Sequence, residues 1–386
     1  MIKYIAYCDD NPLFLNNRVI HKRSSIALEH DFLYLLATRL KEHGTQFITG
    51  DLALTKIATL KCRPAEVGLI ATTGSRLADY LESIGAKPIA FFGFESPLWD
   101  QNFYTQYDTC KTSYPVRIFF RFMKENQTKG LQHPYFPKLK NSQYKKSHLH
   151  WRAKKLISFV TANKYLGLSA QKQNLQSRIR TFLKSKLLPR FFPEKIVAFR
   201  KATIINNELQ TKRLELIRFF SKHPEFSLYG NGWEDLTNLP PEWQTALKPI
   251  INSSFKGKIK DKIAKTSEYK FALCIENGSY YGYITEKIID AFIAGVVPVY
   301  LGAPDIKDYI PDNCFIDYRN FKSDEDLLEY LSDIRESEYE TYLHNIQEFM
   351  SSNEGKKYSH YFFAETLFAH IRSLSPEMAR RFNGIP

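Results

Sequence analysis

The stretch from Tyr269 to Gly302 restricts what this chain can fold into more than any other. An apolar strand ends in Glu276-Asn277 and a short loop follows. A helix then opens with Thr285-Glu286-Lys287, closes at Gly295 and feeds a second apolar strand, Val296–Leu301. Strand, helix and strand in that order build a parallel βαβ unit. Open sheets of this kind hold ligands at strand carboxyl ends and helix N-termini. Here both edges carry polar and ionisable residues, with Lys287 placed to meet a phosphate, so the segment reads as a sugar-nucleotide site.

The same alternation extends along the chain. Tyr4–Cys8, Gln46–Thr49, Val67–Ala71, Pro88–Phe92 and Val116–Phe120 read as strands, with helices over Ile26–His43 and Ser75–Ile84. A second series starts near Trp151. It has strands Leu156–Ala162, Phe226–Tyr229 and Phe315–Asp317, and helices over Thr211–Phe220, Lys258–Thr266, Ser323–Ile334 and Tyr358–Ser373. A length of 386 residues exceeds one ordinary core. The expected fold is α/β, with two Rossmann-like domains facing each other across a cleft, the architecture called GT-B. The boundaries are residues 1–150, 151–357 with a basic insertion at about 165–207, and a C-terminal helical segment, 358–386.

Charge is unevenly spread. The net charge is +13, yet 17 of the 54 Lys and Arg lie between Lys138 and Lys201, against a single acid, Glu194. Within that region Leu175, Ile179, Phe182, Leu183 and Leu187 share one helical face, ringed by Arg178, Arg180, Lys184, Lys186 and Arg190. Such a helix either lies on an anionic membrane surface or packs, solvated, on its own domain. No recognised nucleic-acid module accompanies the charge, so no nucleic-acid partner is expected. The five cysteines are scattered without a Cys-x-x-Cys, so neither a zinc site nor a disulfide framework is indicated. Cys8 and Cys274 read as small buried residues of strands. The chain opens on a strand-like run and has no window of ~18 apolar residues. The expectation is a soluble bacterial enzyme of the cytoplasm, peripheral at the inner membrane if segment 138–201 touches lipid.

A resemblance sharpens this reading. Glu276-Asn277, five residues, Tyr283-Ile284-Thr285-Glu286-Lys287 and then Ala294-Gly295-Val296-Val297-Pro298-Val299 is similar to the donor-site signature of the family 10 α1,3/4-fucosyltransferases. Gly278 stands where the family more often has Ser. Leu209–Ile217 resembles the family helix whose arginine, here Arg213, grips the donor phosphates, although Lys212 replaces the usual Glu. Asn163-Lys164 resembles the Asn-Lys turn of bacterial relatives. Glu95-Ser96-Pro97, just past an apolar strand, looks like the acceptor-domain motif whose glutamate is the base.

The resemblance implies an inverting transfer of L-fucose from GDP-β-L-fucose to a hydroxyl of a glycan acceptor, α1,3 to GlcNAc or glucose, in bacterial surface glycan synthesis. The acceptor would be an oligosaccharide or a lipopolysaccharide. Glu95, Lys287 and Arg213 would be catalytic. Asn163, Lys164, Arg213, Glu276, Asn277, Tyr283, Thr285, Glu286 and Lys287 would bind the donor, with helix N–H groups assisting Lys287. A base works best with a pKa raised toward working pH, and preorganised cations stabilise the departing diphosphate. Asp324-Glu325-Asp326 fits an Asp-x-Asp metal string but falls in a helical first turn, where acids favour the dipole; no metal and no cofactor are expected. Asp9-Asp10 is a loop pair within reach of an acceptor. The alternatives are another nucleotide-sugar donor on the same fold, or a non-catalytic sugar-nucleotide or polyanion binder.

Overall fold

The computed structural model describes residues 2–20, 31–120, 131–132, 149–167 and 193–374. The first unit holds β1 (Tyr4–Cys8), α1 (Asp31–Glu42), β2 (Gln46–Thr49), α2 (Gly50–Ala58), β3 (Val67–Thr72), α3 (Arg76–Ser83), β4 (Lys87–Gly93), α4 (Gln101–Thr105), β5 (Val116–Phe119) and β6 (Leu131–Gln132). Its strands lie in the order β2-β1-β3-β4-β5-β6, paired in parallel throughout. The second unit opens with β7 (Lys155–Val160), α5 (Pro193–Asn206), α6 (Gln210–Phe220), β8 (Phe226–Tyr229), α7 (Pro241–Ser254), α8 (Lys262–Thr266) and β9 (Tyr269–Ile275). It continues with α9 (Glu286–Ile293), β10 (Val297–Leu301), β11 (Ile316–Asp317), α10 (Asp324–Asp333), α11 (Glu336–Ser351), α12 (Asn353–Lys356) and α13 (His360–Ser373). Its parallel sheet runs β11-β10-β9-β7-β8.

Both strand orders reverse beside their first strand, between β1 and β3 and between β7 and β9. Successive crossovers leave in opposite directions there, so the loops part and open a crevice at the strand carboxyl ends. In the second unit that crevice is framed by the residues after β7, from Thr161 to Lys164, and those after β9, Glu276 and Asn277.

The strands alternate two buried faces in the first unit. Ala6, Cys8, Leu69 and Ala71 point one way; Ile5, Tyr7 and Ile70 point the other. The second of these faces is covered by α1 and by α13, the last helix of the chain, through Phe363, Leu367 and Phe368. Tyr280 and Tyr283, from the loop after β9, and Ile204 and Ile205 of α5 enter the first unit's other core. The two units are thus joined by shared apolar packing as well as by chain connection.

Several elements differ from expectation. Helices α2, α7 and α11 lie where none is predicted; α7 contains Pro249 and starts at Pro241, which masks its period. Helix α8 begins at Lys262, not near Lys258, because the Asp261 carboxylate accepts from the Ala264 N–H and caps it there. Residues 26–30 of the first predicted helix and the amphipathic segment from Leu175 to Arg190 lie outside the described residues.

Candidate functional site

Glu276 has no accessible surface, and its carboxylate organises the crevice. It accepts the Thr285 N–H at 2.8 Å and the Thr285 hydroxyl at 2.8 and 3.0 Å. Its Oε2 lies 2.9 Å from Lys287 Nζ. Thr285 precedes α9, so the anion at this helix N-terminus, favoured by the helix dipole, is supplied by the protein itself. Close packing makes this possible: a Cβ on Gly302 would sit 2.5 Å from Glu276 Cγ. The Lys287 ammonium also approaches the Thr285 hydroxyl at 2.8 Å and Glu286 Oε1 at 3.6 Å. Burial pulls its pKa down, but Glu276 and Glu286 outweigh that, so Lys287 is held more firmly protonated than usual.

Arg213 reaches the same place from α6. Its Nε donates to the Ile275 carbonyl at 3.2 Å, which fixes the guanidinium beneath the end of β9. Burial lowers its pKa, opposed by Glu276, Tyr283 and Glu286; at that starting value it stays charged. Arg213 lines a small groove with Asn163, Lys164, Gln210 and Trp233. The helix is set in position by the strand-like contact of residues 207–209 with 277–279: Leu209 N–H donates to the Asn277 carbonyl at 3.0 Å and Ser279 N–H to the Asn207 carbonyl at 2.7 Å. Buried Glu208 accepts from Thr211 N–H and hydroxyl, closing the helix start. The β8 loop completes the groove wall. Gly230 has φ +140°, and a Cβ there would meet the Thr161 carbonyl at 1.9 Å, so only glycine allows the two loops to approach this closely.

Glu95 stands just past β4 in the first unit. It keeps an exposed surface, yet the partial desolvation it does undergo raises its carboxyl pKa; Lys164 opposes the rise, while Asp100 and Glu286 add to it. Glu286 belongs to the second unit and Glu95 to the first, so both carboxylates face one gap. Tyr283 spans that gap. Its ring meets Phe120 edge-on at 4.8 Å, and its hydroxyl accepts from Asn277 Nδ2 at 3.1 Å.

Sequence comparison places one segment of the chain in a family. Residues 195–374 match the model of Glycosyltransferase family 10 (fucosyltransferase), C-terminal part. That segment is a family 10 glycosyltransferase domain. An α-(1,3)-fucosyltransferase of Helicobacter pylori is 29% identical over 129 residues, 33% of this chain and 26% of that protein. α-(1,3)-Fucosyltransferase B of Drosophila melanogaster is 32% identical over 126 residues, 32% of this chain and 27% of that protein. The chain therefore spans about a quarter of the length of these curated relatives. A crystal structure of an α1,3-fucosyltransferase with GDP-fucose superposes with a TM-score of 0.43 and 14% identity, over 96% of this chain and 90% of that one.

The expected donor residues separate into two groups. Lys287, Arg213, Glu286, Asn277 and Lys164 keep surface at the crevice. Glu276, Thr285 and Tyr283 do not: they are buried, and their polar atoms serve one another, Lys287 or Asn277. They position the site instead of lining it, because a carboxylate placed at a sheet edge is most stable when it caps the adjoining helix. The Thr285 N–H, expected to meet a phosphate, is directed at Glu276 for the same reason. Asn163 is partly diverted too. Its amide donates to the Gly232 and Asp235 carbonyls and to Asn238, so it fastens the β8 loop. Gln210 and Trp233 were missed; Gln210 lies three positions before Arg213, a spacing that puts both on one helix face.

Asp10 is not poised for an acceptor. Its carboxylate accepts from Ser75, from the Arg76 and Leu77 N–H groups and from the Arg76 side chain, holding the start of α3. Asp9 likewise accepts from Thr72. Asp324 pairs with Lys212 at 3.1 Å and with the Tyr318 hydroxyl, while the Asp326 N–H donates to Ser323. Among the described residues no cluster of His, Cys, Asp or Glu is arranged to hold a metal ion. Part of the basic segment is also committed internally. Arg200 pairs with Asp108 and lies 4.2 Å over the Tyr107 ring, which anchors α5 to the first unit. Lys154 is 5% exposed and donates to the Tyr269 and Gly295 carbonyls. No helix of the described residues is long and apolar enough to cross a membrane.

Proposed function

We propose that this protein is an inverting fucosyltransferase that moves L-fucose from GDP-β-L-fucose to a glycan hydroxyl, α1,3 on GlcNAc or glucose. It would act in the cytoplasm on an oligosaccharide or lipopolysaccharide of the bacterial surface. The observation that carries the reading is two fixed cations, Lys287 and Arg213, at the second unit's strand-order switch point, with Glu95 of the first unit, its carboxyl pKa raised, close enough to feel Lys164 and Glu286 of the same crevice. Glu95 takes the proton of the acceptor hydroxyl, and that oxygen attacks the anomeric carbon from the side opposite the phosphate. The bond from carbon to phosphate oxygen breaks, and GDP leaves with the electron pair. Lys287 and Arg213 stabilise the charge gathering on the diphosphate, and because they are already held in place no reorganisation is needed as it develops. They supply the neutralisation that a divalent cation would otherwise give. Glu286, beside Lys287 and open to the gap, accepts from ribose or fucose hydroxyls.

The test is GDP release from GDP-fucose, with EDTA present, against GlcNAc- and glucose-terminated acceptors. Acceptor-dependent release supports the transferase, its donor and its independence of metal. Tight binding of GDP-fucose without release for any acceptor would support the non-catalytic binder, and absence of GDP-fucose binding would point to a different nucleotide sugar.

A further inference from the structure

The turn after Glu95 places a large aromatic ring where a folded chain has no packing reason to put one. Ser96, Pro97 and Leu98 are buried, and the Trp99 and Asp100 N–H groups both close on the Ser96 carbonyl at 2.9 Å. Asp100 then caps α4 through the Phe103 N–H. The backbone on both sides of Trp99 is therefore held, while the indole remains 41% exposed. Lys164, from the carboxyl end of β7 in the other unit, brings its ammonium to 5.9 Å from the ring. The same lysine acts electrostatically on Glu95. Ring, base and crevice lysine thus meet at one mouth.

We propose that Trp99 is the platform on which the acceptor sugar stacks, its apolar C–H face against the indole and its reacting hydroxyl turned toward Glu95. Pyranoses in the gluco configuration suit it. Their equatorial hydroxyls leave axial C–H groups on each face, and an indole offers a flat surface of matching size with little side-chain entropy to lose. Lys164 backs the platform from the donor unit, so acceptor seating and closure of the gap are coupled. This inference rests on the transferase reading for what the stacked sugar is used for; the binding itself does not.

Binding is measured first, by calorimetry in the presence of saturating GDP, with the methyl β-glycosides of GlcNAc and glucose as probes. Wild type binds them, Trp99→Ala weakens them by tenfold or more, and Trp99→Phe recovers most of the loss. The Kd for GDP and the melting temperature do not move, which excludes a merely structural role. Where turnover is present, Trp99→Ala raises the acceptor KM and leaves the donor KM unchanged. Probe binding by Trp99→Ala within twofold of wild type overturns the proposal, as does lack of probe binding by wild type. Failure of the transferase reading is separately visible, as probe binding that depends on Trp99 with no GDP release from GDP-fucose.

Discussion

Truncating Lys287 does two things at once, because the ammonium facing the crevice is also the partner of a carboxylate with no accessible surface. Lys287→Ala is expected to lower kcat on the order of 100-fold or more. It also strands Glu276, which costs about 3 kcal/mol of stability. Adding Glu276→Gln to that variant restores part of the melting temperature and none of the activity, and a double-mutant cycle reads the coupling. Glu95 makes a second residue-scale prediction. As a base it works deprotonated, so kcat/KM falls as pH drops through a pKa lying above the usual carboxylate range. Lys164→Ala removes the charge that holds this pKa down and moves the acid limb to higher pH. A limb that stays put would mean that Glu95 is not the titrating group. The motif points to Glu95, but what sets its pKa is not written locally: the packing that desolvates it and the charges of Lys164 and Glu286 come from distant stretches of chain.

At the scale of elements, the start of the second unit's first strand is tied to α11 by Lys154. Besides the two carbonyls, its ammonium lies 3.4 Å from the Tyr339 hydroxyl of α11. Desolvation lowers its pKa to about 8. The sign follows from proton counting. Below pH 8 the lysine is charged in folded and unfolded chains alike, and the burial cost is present in full. Between pH 8 and the ordinary lysine value near 10.4 the unfolded chain holds the proton and the folded one releases it. Stability therefore rises across that window, by about 3 kcal/mol at about 1.36 kcal/mol per pKa unit. The melting temperature of wild type relative to Lys154→Met should climb from pH 8 to 10. A flat difference would show that the ammonium is better solvated than its burial implies.

At the scale of the whole molecule, the chain crosses back at its end. α13 follows the second unit in sequence but covers a face of the first unit's sheet. Phe363 is fully buried there, 4.7 Å from the Phe32 ring and 5.6 Å from Phe94, the residue before Glu95. Phe363→Ala is expected to cost about 3 to 5 kcal/mol. Because it loosens the support of Glu95, it should lower acceptor-dependent turnover while GDP binding stays near wild type. Calorimetric unfolding and donor titration together check this. Equal losses of donor and acceptor function would place the coupling elsewhere.

Local pattern alone determined much of this protein. Strands such as Gln46–Thr49 and Phe226–Tyr229 were readable from apolar runs because burial on a parallel sheet requires such runs. The motif around Glu276 and Lys287 was readable because its residues are close in sequence. Helix α7 was not, since Pro249 interrupts a pattern that tertiary packing nevertheless holds helical. Only the tertiary structure decided which motif residues keep surface at the crevice. Glu276, Thr285 and Tyr283 carry a carboxylate and two hydroxyls, groups as able to bond a ligand as those of Glu286 and Asn277. They turn inward because a helix start, a lysine and a neighbouring domain satisfy those atoms better than solvent does, and that balance depends on partners far apart in the chain.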